Sequence, residues 1–525
     1  MNKIKLLILA NSKHDNYQIN NIIKNLEFKK IQITILYSKN NHLSKKSFLH
    51  QLLFRTIFFI ERRFININFS LHSKKNIHIE KKNQPFDKYI NNELNSNNKK
   101  KNSIDVILDL GHHAINHNYL KNIKFGIWFL DHNVKDNSYI GFYDCLYNKE
   151  TTTSLLFKKS FLKDKISTNC LDKSNLNNKI NFWLRNRQFI IDKSSNLVSK
   201  NLNRIFYDLK FDNLKLNVNK KPFEIKLVYL FYYFLKKYLF YLINRINLFK
   251  NKNISLWSLH ISANKKNFIK NLKSTINQSI RIKPPKNSEW ADPFIFSHKN
   301  KDYVFFENND LIVNKGKISC AELHQNTLIN IKDILNLKFH LSYPFIWKYR
   351  GNFYLIPETS EKKSIHIWKA KKFPDQWIFF KTLLKNEFCC DTTILQDNLK
   401  NNWLLTNKSN DNSNDPNNEL YVYKIIGNFK KLIPHKLNPV ITDCLTARNG
   451  GKLLSQKQLL RPSQINDSSG YGIGLNINKV ISLNLSSYKE KIIKKIIPNK
   501  IKNTNGLHHI NNSKKHIIFD VRYKI

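Results

Sequence analysis

Several things are scarce in this 525-residue sequence. Glycine (12) and methionine (1) are rare, while Lys, Asn and Ile recur in every segment. That bias spreads basic side chains over all surfaces and reads as drift toward AT-rich codons. Acidic residues are also few: 38 Asp and Glu against 88 Lys and Arg leave a formal net charge of +50. A charge of that size ordinarily points to nucleic acid. Here no basic stripe gathers it, so no specific nucleic-acid partner is expected, and peripheral contact with an anionic membrane is the better reading. Cysteine is thin as well. Cys145, Cys170, Cys320, Cys389, Cys390 and Cys444 show no C-x-x-C spacing, which argues against a zinc site or a disulfide framework. No metal is indicated, no cofactor is identified, and a reducing compartment is expected.

Long apolar runs are missing too. The apolar core of MNKIKLLILANS is too short for a signal peptide and suits a buried first strand, so the expected location is cytoplasmic. Residues 222–249 are the most apolar stretch, but Lys236 and Lys237 fall mid-span. That stretch is expected to pack as a helix or to lie in a membrane interface, at the inner face. What is present is ample core: 41% hydrophobic residues, with 36 Phe and 22 Tyr, enough for two or three domains.

The first third alternates strand and helix. Residues 3–10 and 31–38 read as strands around a helical stretch at 16–28, and 44–63 as an amphipathic helix capped by Ser44. Two more strands, in 103–115 and 123–133, follow an Asn/Lys-rich insertion at 80–102. This order predicts an α/β domain with a parallel sheet over 1–160. Asp109, His113, Asp131 and His132 then fall beyond the carboxyl ends of strands, where such sheets bind ligands. The same residues also suit turns and helix starts. Residues 161–250 are expected to be a helical connector.

Beyond residue 250 a pattern repeats. WADPFIFSHKNKDYVFFE, SYPFIWKYRGNFYLIPE and DTTILQDNLKNNWLLT each read as a β-hairpin, and RNGGKLLSQKQLLRP and GLHHINNSKKHIIFD are fainter copies. Their starts, from Asp292 to Gly506, recur at a period of about 50 residues, the signature of a propeller. Further strands at 316–324, 364–370, 419–425 and 470–478, with fourth strands such as 376–384 and 480–488, complete four-stranded blades. The fifth blade runs out of chain, so 254–263 is expected to close the ring of an all-β five-bladed propeller over 251–525. First strands line the channel. Asp292, Tyr343, Asp391, Arg448 and His508 are therefore expected around one mouth, with Glu307, Glu358 and Arg461 returning to it. Trp290, Trp347 and Trp368 are candidate apolar faces for sugar rings. His340, in HLSYP, suits either a ligand contact or a loop cap. Carboxylates around a funnel fit acid–base work on a polyhydroxylated ligand. Asp-Pro and strand-opening Asp are also routine turn features.

Two resemblances refine this. DVILDLG, GIWFLDHN and GFYDCLYNKETTTSLLF resemble the formyltransferase fold used by methionyl-tRNA and sugar-nucleotide formyltransferases. The Asn-x-His pair of that family is replaced here by Trp128, Phe129 and Leu130. WADPF, HLSYPF, YLIPET, FPDQW, DTTIL, HKLNPV and AR-x-GG-K-L with RP-x-Q look like the N-terminal domain of plant glucosamine inositolphosphorylceramide transferases and their bacterial relatives. Its propeller is similar to those of arabinanases, levansucrases and invertases. The resemblance implies glycosyl transfer in surface-polysaccharide or glycolipid assembly, on a sugar, nucleotide-sugar or glycolipid substrate. It implies Asp292 as base or nucleophile, Glu358 as acid and Asp391 as charge modulator, with Arg448 and His508 binding hydroxyl or phosphate groups. Two other outcomes stay open: a non-catalytic carbohydrate-binding propeller, and a first domain that formylates an amino sugar.

Overall fold

The computed structural model describes residues 3–11, 15–26, 30–37, 46–63, 77–82, 86, 88–90, 104–113, 115–162, 165–216, 221–239, 255–265, 268–409, 415–455, 458–498 and 501–524. The chain divides into two compact units, Met1–Lys250 and Asn251–Ile525.

The first unit is built on β1 (Ile4–Ala10), α1 (Asn16–Lys24), β2 (Ile31–Tyr37), α2 (Phe48–Arg62), β3 (His78–Lys82), β4 (Val106–Asp109), β5 (Ile127–Asp131), β6 (Thr151–Leu162) and β7 (Lys165–Asn177). The sheet runs β3-β2-β1-β4-β5-β6-β7. Its first five strands are parallel, and β1 and β2 are near-continuous apolar runs because both faces are covered. The expectation of a parallel sheet holds only that far, since β6 and β7 turn antiparallel. The helical connector expected over 161–250 holds from Trp183 on but not before it. KISTNCLDKSNLN is a strand, and its many polar residues hide the alternation that pairs it with β6. Helix α3 (Trp183–Phe206) packs against α1, β6 and β7. The cap of α2 is Ser47, which accepts from His50 N at 3.3 Å. Residue 44, the expected cap, lies outside the described residues, as do 91–103 of the insertion. The apolar stretch after 222 forms α4 (Leu227–Phe234), packed on α2, with residues 240–249 outside the described range. No described helix is long and apolar enough to cross a membrane.

The second unit is the five-bladed propeller. Blades one and two are four-stranded meanders, Ser288–Leu335 and Ser342–Leu383, and blade three runs from Cys389 to Pro434 with a short extra strand, Ile441–Thr442. Blade four has three main strands, Leu460–Asp467, Gly470–Leu483 and Tyr488–Ile496. Two expectations fail here. The segment 480–488 is not a separate fourth strand, because the third strand continues through Leu483. The 448–462 hairpin is reduced to bridges, because Gly451 and Lys452 pair instead with Ile510 and Asn511 of blade five. Gly451 has φ +101°, and a Cβ there would sit 2.1 Å from the Ile510 carbonyl oxygen, so only glycine allows the approach. Ring closure is as expected. Ser255–Ala263 pairs antiparallel with His516–Lys524 along its whole length, from Ser255↔Lys524 to Ala263↔His516. An aromatic-rich core spans blades one to three, including Phe294, Phe305, Phe345, Trp347 and Leu404.

Candidate active site at the propeller mouth

The first strands of blades one, two and three carry the same defect at the same place. Their registers shift between Ala291 and Phe294, between Ser342 and Phe345, and between Cys390 and Thr393. In each bulge one residue turns left-handed: Asp292 (φ 51°), Tyr343 (φ 47°) and Asp391 (φ 47°). Such a conformation costs about 1–3 kcal/mol per residue unless its surroundings hold it. Here each bulge is latched to the blade before it. Asp292 N donates to Asp520 Oδ2 at 3.0 Å, Tyr343 N to Asp292 Oδ2 at 3.2 Å, and Asp391 N to Glu358 Oε2 at 3.4 Å. Asn449 Nδ2 of blade four donates to the Asp391 carbonyl at 2.8 Å. The period read in the sequence is thus a ring of carboxylates that turn inward and bind neighbouring blades.

The electrostatics separate these acids. Asp292 Oδ1 lies 3.3 Å from His508 Nε2 and 3.3 Å from His509 Nδ1. Burial pushes the Asp292 carboxyl up, but the two histidines and Arg448 outweigh it and hold the group at about 2. His508 is the counterpart. Burial pushes it down, yet Asp520, with Oδ2 at 2.9 Å from Nδ1, and Asp292 raise it to about 9. Asp391 goes the other way. Burial lifts it to about 7; Arg448 opposes, and Glu358 and Asp292 add to the rise. Arg448 Nε donates to Asp391 Oδ2 at 2.6 Å, and Gln464 Nε2 donates to the same oxygen at 3.1 Å, so this is an ion pair held near the edge of protonation. Burial also raises Glu307, against its ion pair with His340 at 3.2 Å, while Asp292 and Glu289 add to the rise. Glu307 also pushes His340 up against burial, while the Gly316 N–H donating to Nδ1 favours a ring that carries its proton on Nε2 toward Glu307. Carboxylates whose environments push their proton affinities apart are how a site acquires both a base and a proton-holding group.

Most of the expected residues converge. Asp292, Asp391, Glu358, Glu307, His340, Arg448 and His508 form one mutually interacting cluster. His340 takes the loop-cap role, its Nδ1 accepting from Gly316 N at 3.0 Å, while its Nε2 faces Glu307 at 3.2 Å. Glu358 accepts from Ser360 Oγ at 2.7 Å as well as from Asp391 N. Two residues do not belong. Tyr343 is fully buried, its hydroxyl 2.7 Å from Thr393 Oγ1 and accepting from Gly451 N at 3.0 Å. Its ring packs on Phe294 and His509, so it fills the channel rather than meeting a ligand. Arg461 is 1% exposed and bound to Glu490 at 2.8 and 2.6 Å and to the carbonyls of Thr446 and Ala447. It staples blade four. Trp290, Trp347 and Trp368 are likewise core residues, packed against Phe306, Tyr349 and Phe379.

Of the aromatic groups beside the cluster, Trp257 is buried too, and Tyr471 is the exposed one. Trp257, from the closing strand, lies 4.0 Å from the His508 ring, and Tyr471, 39% exposed, lies 6.2 Å from Trp257. Arg448 and Arg522 sit over the Tyr471 ring at 5.2 and 5.7 Å. Nothing local in the sequence marks these two rings. Asp520 had a signal, because it ends the fifth hairpin as Glu307 and Glu358 end the first and second. Asp292 Oδ1, both His509 nitrogens and Gln464 Oε1 are buried without a hydrogen bond, a reserve of polar capacity at the base of the mouth. Among the described residues, Asp292, His508 and Asp520 bring metal-ligand atoms within 4.8 Å of one another. His508 faces both carboxylates as ion pairs, Nε2 at 3.3 Å from Asp292 Oδ1 and Nδ1 at 2.9 Å from Asp520 Oδ2, and its Nδ1 is buried without a hydrogen bond.

The candidates of the first unit do not converge. Asp109 accepts from Gly111 N at 3.0 Å and His113 N at 2.8 Å and holds His113 Nδ1 at 2.6 Å. Asp109 and His113 line one cavity, of about 320 Å³, with Phe129 and Lys159. Asp131 and His132 line another, of about 360 Å³. Asp131 caps Asn133 N at 2.6 Å. Burial, aided by His112 and Arg187, lowers His132 to about 3, so it is a neutral ring bound to Ser154 Oγ at 2.9 Å.

Similarity to known proteins falls on the propeller. A glucosamine inositolphosphorylceramide transferase 1 from Oryza sativa subsp. japonica is 32% identical over 206 residues, 38% of this chain and 27% of that protein. The Arabidopsis thaliana protein of the same name is 28% identical over 205 residues, 38% of this chain and 26% of that one. The match thus spans about a quarter of the length of these relatives. Among solved structures, the catalytic domain of a Coprinopsis cinerea GH62 α-L-arabinofuranosidase aligns with a TM-score of 0.34 at 10% identity, covering 50% of this chain and 97% of that one. A thermostable family-43 glycoside hydrolase aligns with a TM-score of 0.32 at 12% identity, covering 45% and 89%. Residues 253–522, just over half of the chain, match the family described as glucosamine inositolphosphorylceramide transferase 1, N-terminal, and the chain belongs to that family.

Proposed function

We propose that the propeller mouth carries out glycosyl transfer on a glycolipid, with a sugar or nucleotide-sugar donor. The observation that supports it is the split between Asp292, held ionised, and the neighbouring acids Asp391 and Glu307, both pushed up. In this reading Asp292 is the base or nucleophile at the reacting sugar. His508, kept cationic between Asp292 and Asp520, keeps Asp292 from taking up a proton before substrate arrives. The Glu307–His340 pair, half-open to the mouth, holds the proton for a leaving oxygen, and Glu358 orients Asp391 rather than acting as the acid. Arg448 and Arg522 receive phosphate, and Tyr471 offers a face to a sugar ring, backed by the buried Trp257. The names of the plant relatives support a lipid-linked acceptor. A reducing, cytoplasmic-side location accords with six unpaired cysteines.

The test is turnover with a radiolabelled nucleotide sugar and a phosphoinositol-ceramide acceptor, for the wild type and Asp292→Asn. Loss of about a hundredfold or more in kcat is expected for the variant. Sugar binding without turnover in the wild type selects a carbohydrate-binding propeller instead, a reading favoured by the Phe294, Tyr343 and His509 side chains that fill the channel. For the first unit, the Asp109–His113 pair supports formyl transfer to an amino sugar as a second reading, since the carboxylate orients the ring as a base. A melting shift with a formyl-folate analogue, absent in His113→Asn, would uphold it.

A further inference from the structure

Helix α2 of the first unit keeps apolar side chains on its outer face. It buries His50, Ile57 and Glu61 and presents Phe48 (82% exposed), Leu49, Leu52 and Phe59 (62%) outward. Phe48, Leu52, Arg55, Phe59 and Arg62 fall on one stripe at helical spacing. Helix α4 packs beside it and exposes Val228 (62%), Phe231 and Tyr232. Between the two helices runs a groove of about 720 Å³, lined by Leu49, Leu52, Leu53, Lys226, Val228 and Phe231. Scattered exposed apolar residues are ordinary on any protein; a continuous face of this kind marks an interaction surface.

The charges on this face have one sign. Arg55, Arg62, Arg63 and Lys226 are exposed around it. The one carboxylate within α2 and α4, Glu61, is buried, accepting from Tyr233 Oη at 2.6 Å and Leu184 N at 2.7 Å. Glu224, just before α4, is already paired with Lys46 and Lys135. Two copies meeting through this face would oppose like charges across a two-fold axis. A glycan or nucleic acid would use the cations and leave the phenylalanines bare. Bare aromatic and aliphatic side chains interleaved with arginine fit the boundary between headgroups and acyl chains.

We infer that the α2–α4 face docks the protein on an anionic lipid bilayer. Phe48, Leu52, Phe59, Val228 and Phe231 enter the interface, and Arg55, Arg63 and Lys226 meet lipid phosphates. The inference stands apart from the propeller chemistry, and Asp292→Asn should bind vesicles as the wild type does.

The test is sedimentation of the full chain with phosphatidylcholine vesicles containing about one-third phosphatidylserine, and with phosphatidylcholine alone. Pelleting with the anionic vesicles only, weakened by salt, is expected. Phe48→Ser/Phe59→Ser and Arg55→Glu/Arg63→Glu should each lower the affinity about tenfold or more with unchanged melting. Leu399→Ser, equally bare at 83% but on the propeller unit, should leave it unaltered. Vesicle binding that survives Phe48→Ser/Phe59→Ser would trace to the diffuse net charge of +50 and overturn the inference. So would a wild type that pellets with neither vesicle, or a light-scattering mass in which that variant turns a dimer into a monomer.

Discussion

Asp292 is held by four groups at once: two histidines on one oxygen, a backbone N–H on the other, and its own N–H tied to Asp520. Its substitution by Asn therefore tests charge more than shape, and the turnover loss is expected with little change in fold. His508 makes a pH prediction. Its folded value is raised from 6.5 to about 9, so its contribution to stability is complete below the unfolded value and fades as pH rises through 9. Asp292 has the opposite sign: its contribution is present above the ordinary carboxylate range and fades as pH falls toward 2. The melting temperature of the wild type should thus fall between about pH 6.5 and 9 more steeply than that of His508→Gln. Parallel curves for the two proteins would remove His508 from the latch. At Arg461 the expectation is structural. Arg461→Met strands Glu490 in a buried site and should destabilise the propeller by about 3–5 kcal/mol, measured by denaturant unfolding.

At the scale of elements, the decisive pairing is that of Ser255–Ala263 with His516–Lys524. These strands are more than 250 residues apart in sequence, and together they close the ring and carry Trp257, Asp520 and Arg522 to the mouth. Deleting the last fifteen residues removes the inner pairing of the fifth blade and exposes its edge. A drop in the propeller melting transition is expected, with loss of sugar-ligand stabilisation; an unchanged transition would show that the ring does not depend on this closure. The α2 helix belongs to this scale too, because its hydrophobic pattern alone predicted an amphipathic helix but not which face would be inward. Glu61 decided that by meeting Tyr233 and the start of α3.

For the whole molecule, the two units differ in how much of them was legible. Period-50 hairpins made the number of blades and the ring closure readable, because each blade repeats a local, period-2 pattern. The mouth followed from strand starts and hairpin ends, which is why Asp292, Asp391, Glu307, Glu358 and Arg448 could be expected to lie together. Equivalence of position does not settle burial, however, and so Tyr343 and Arg461 were misassigned while Trp257 and Tyr471 were missed. In the first unit the parallel strands were legible as apolar runs. The antiparallel pair β6 and β7 was not, because KISTNCLDKSNLN alternates too weakly to separate a strand from a polar connector. Composition, repeat period and strand order were determined by the sequence itself, since each depends on near neighbours in the chain. Which side chains share a pocket, which carboxylate stays ionised and which apolar helix face stays bare were decided only by tertiary structure. Those outcomes depend on distance, burial and partners brought from remote segments.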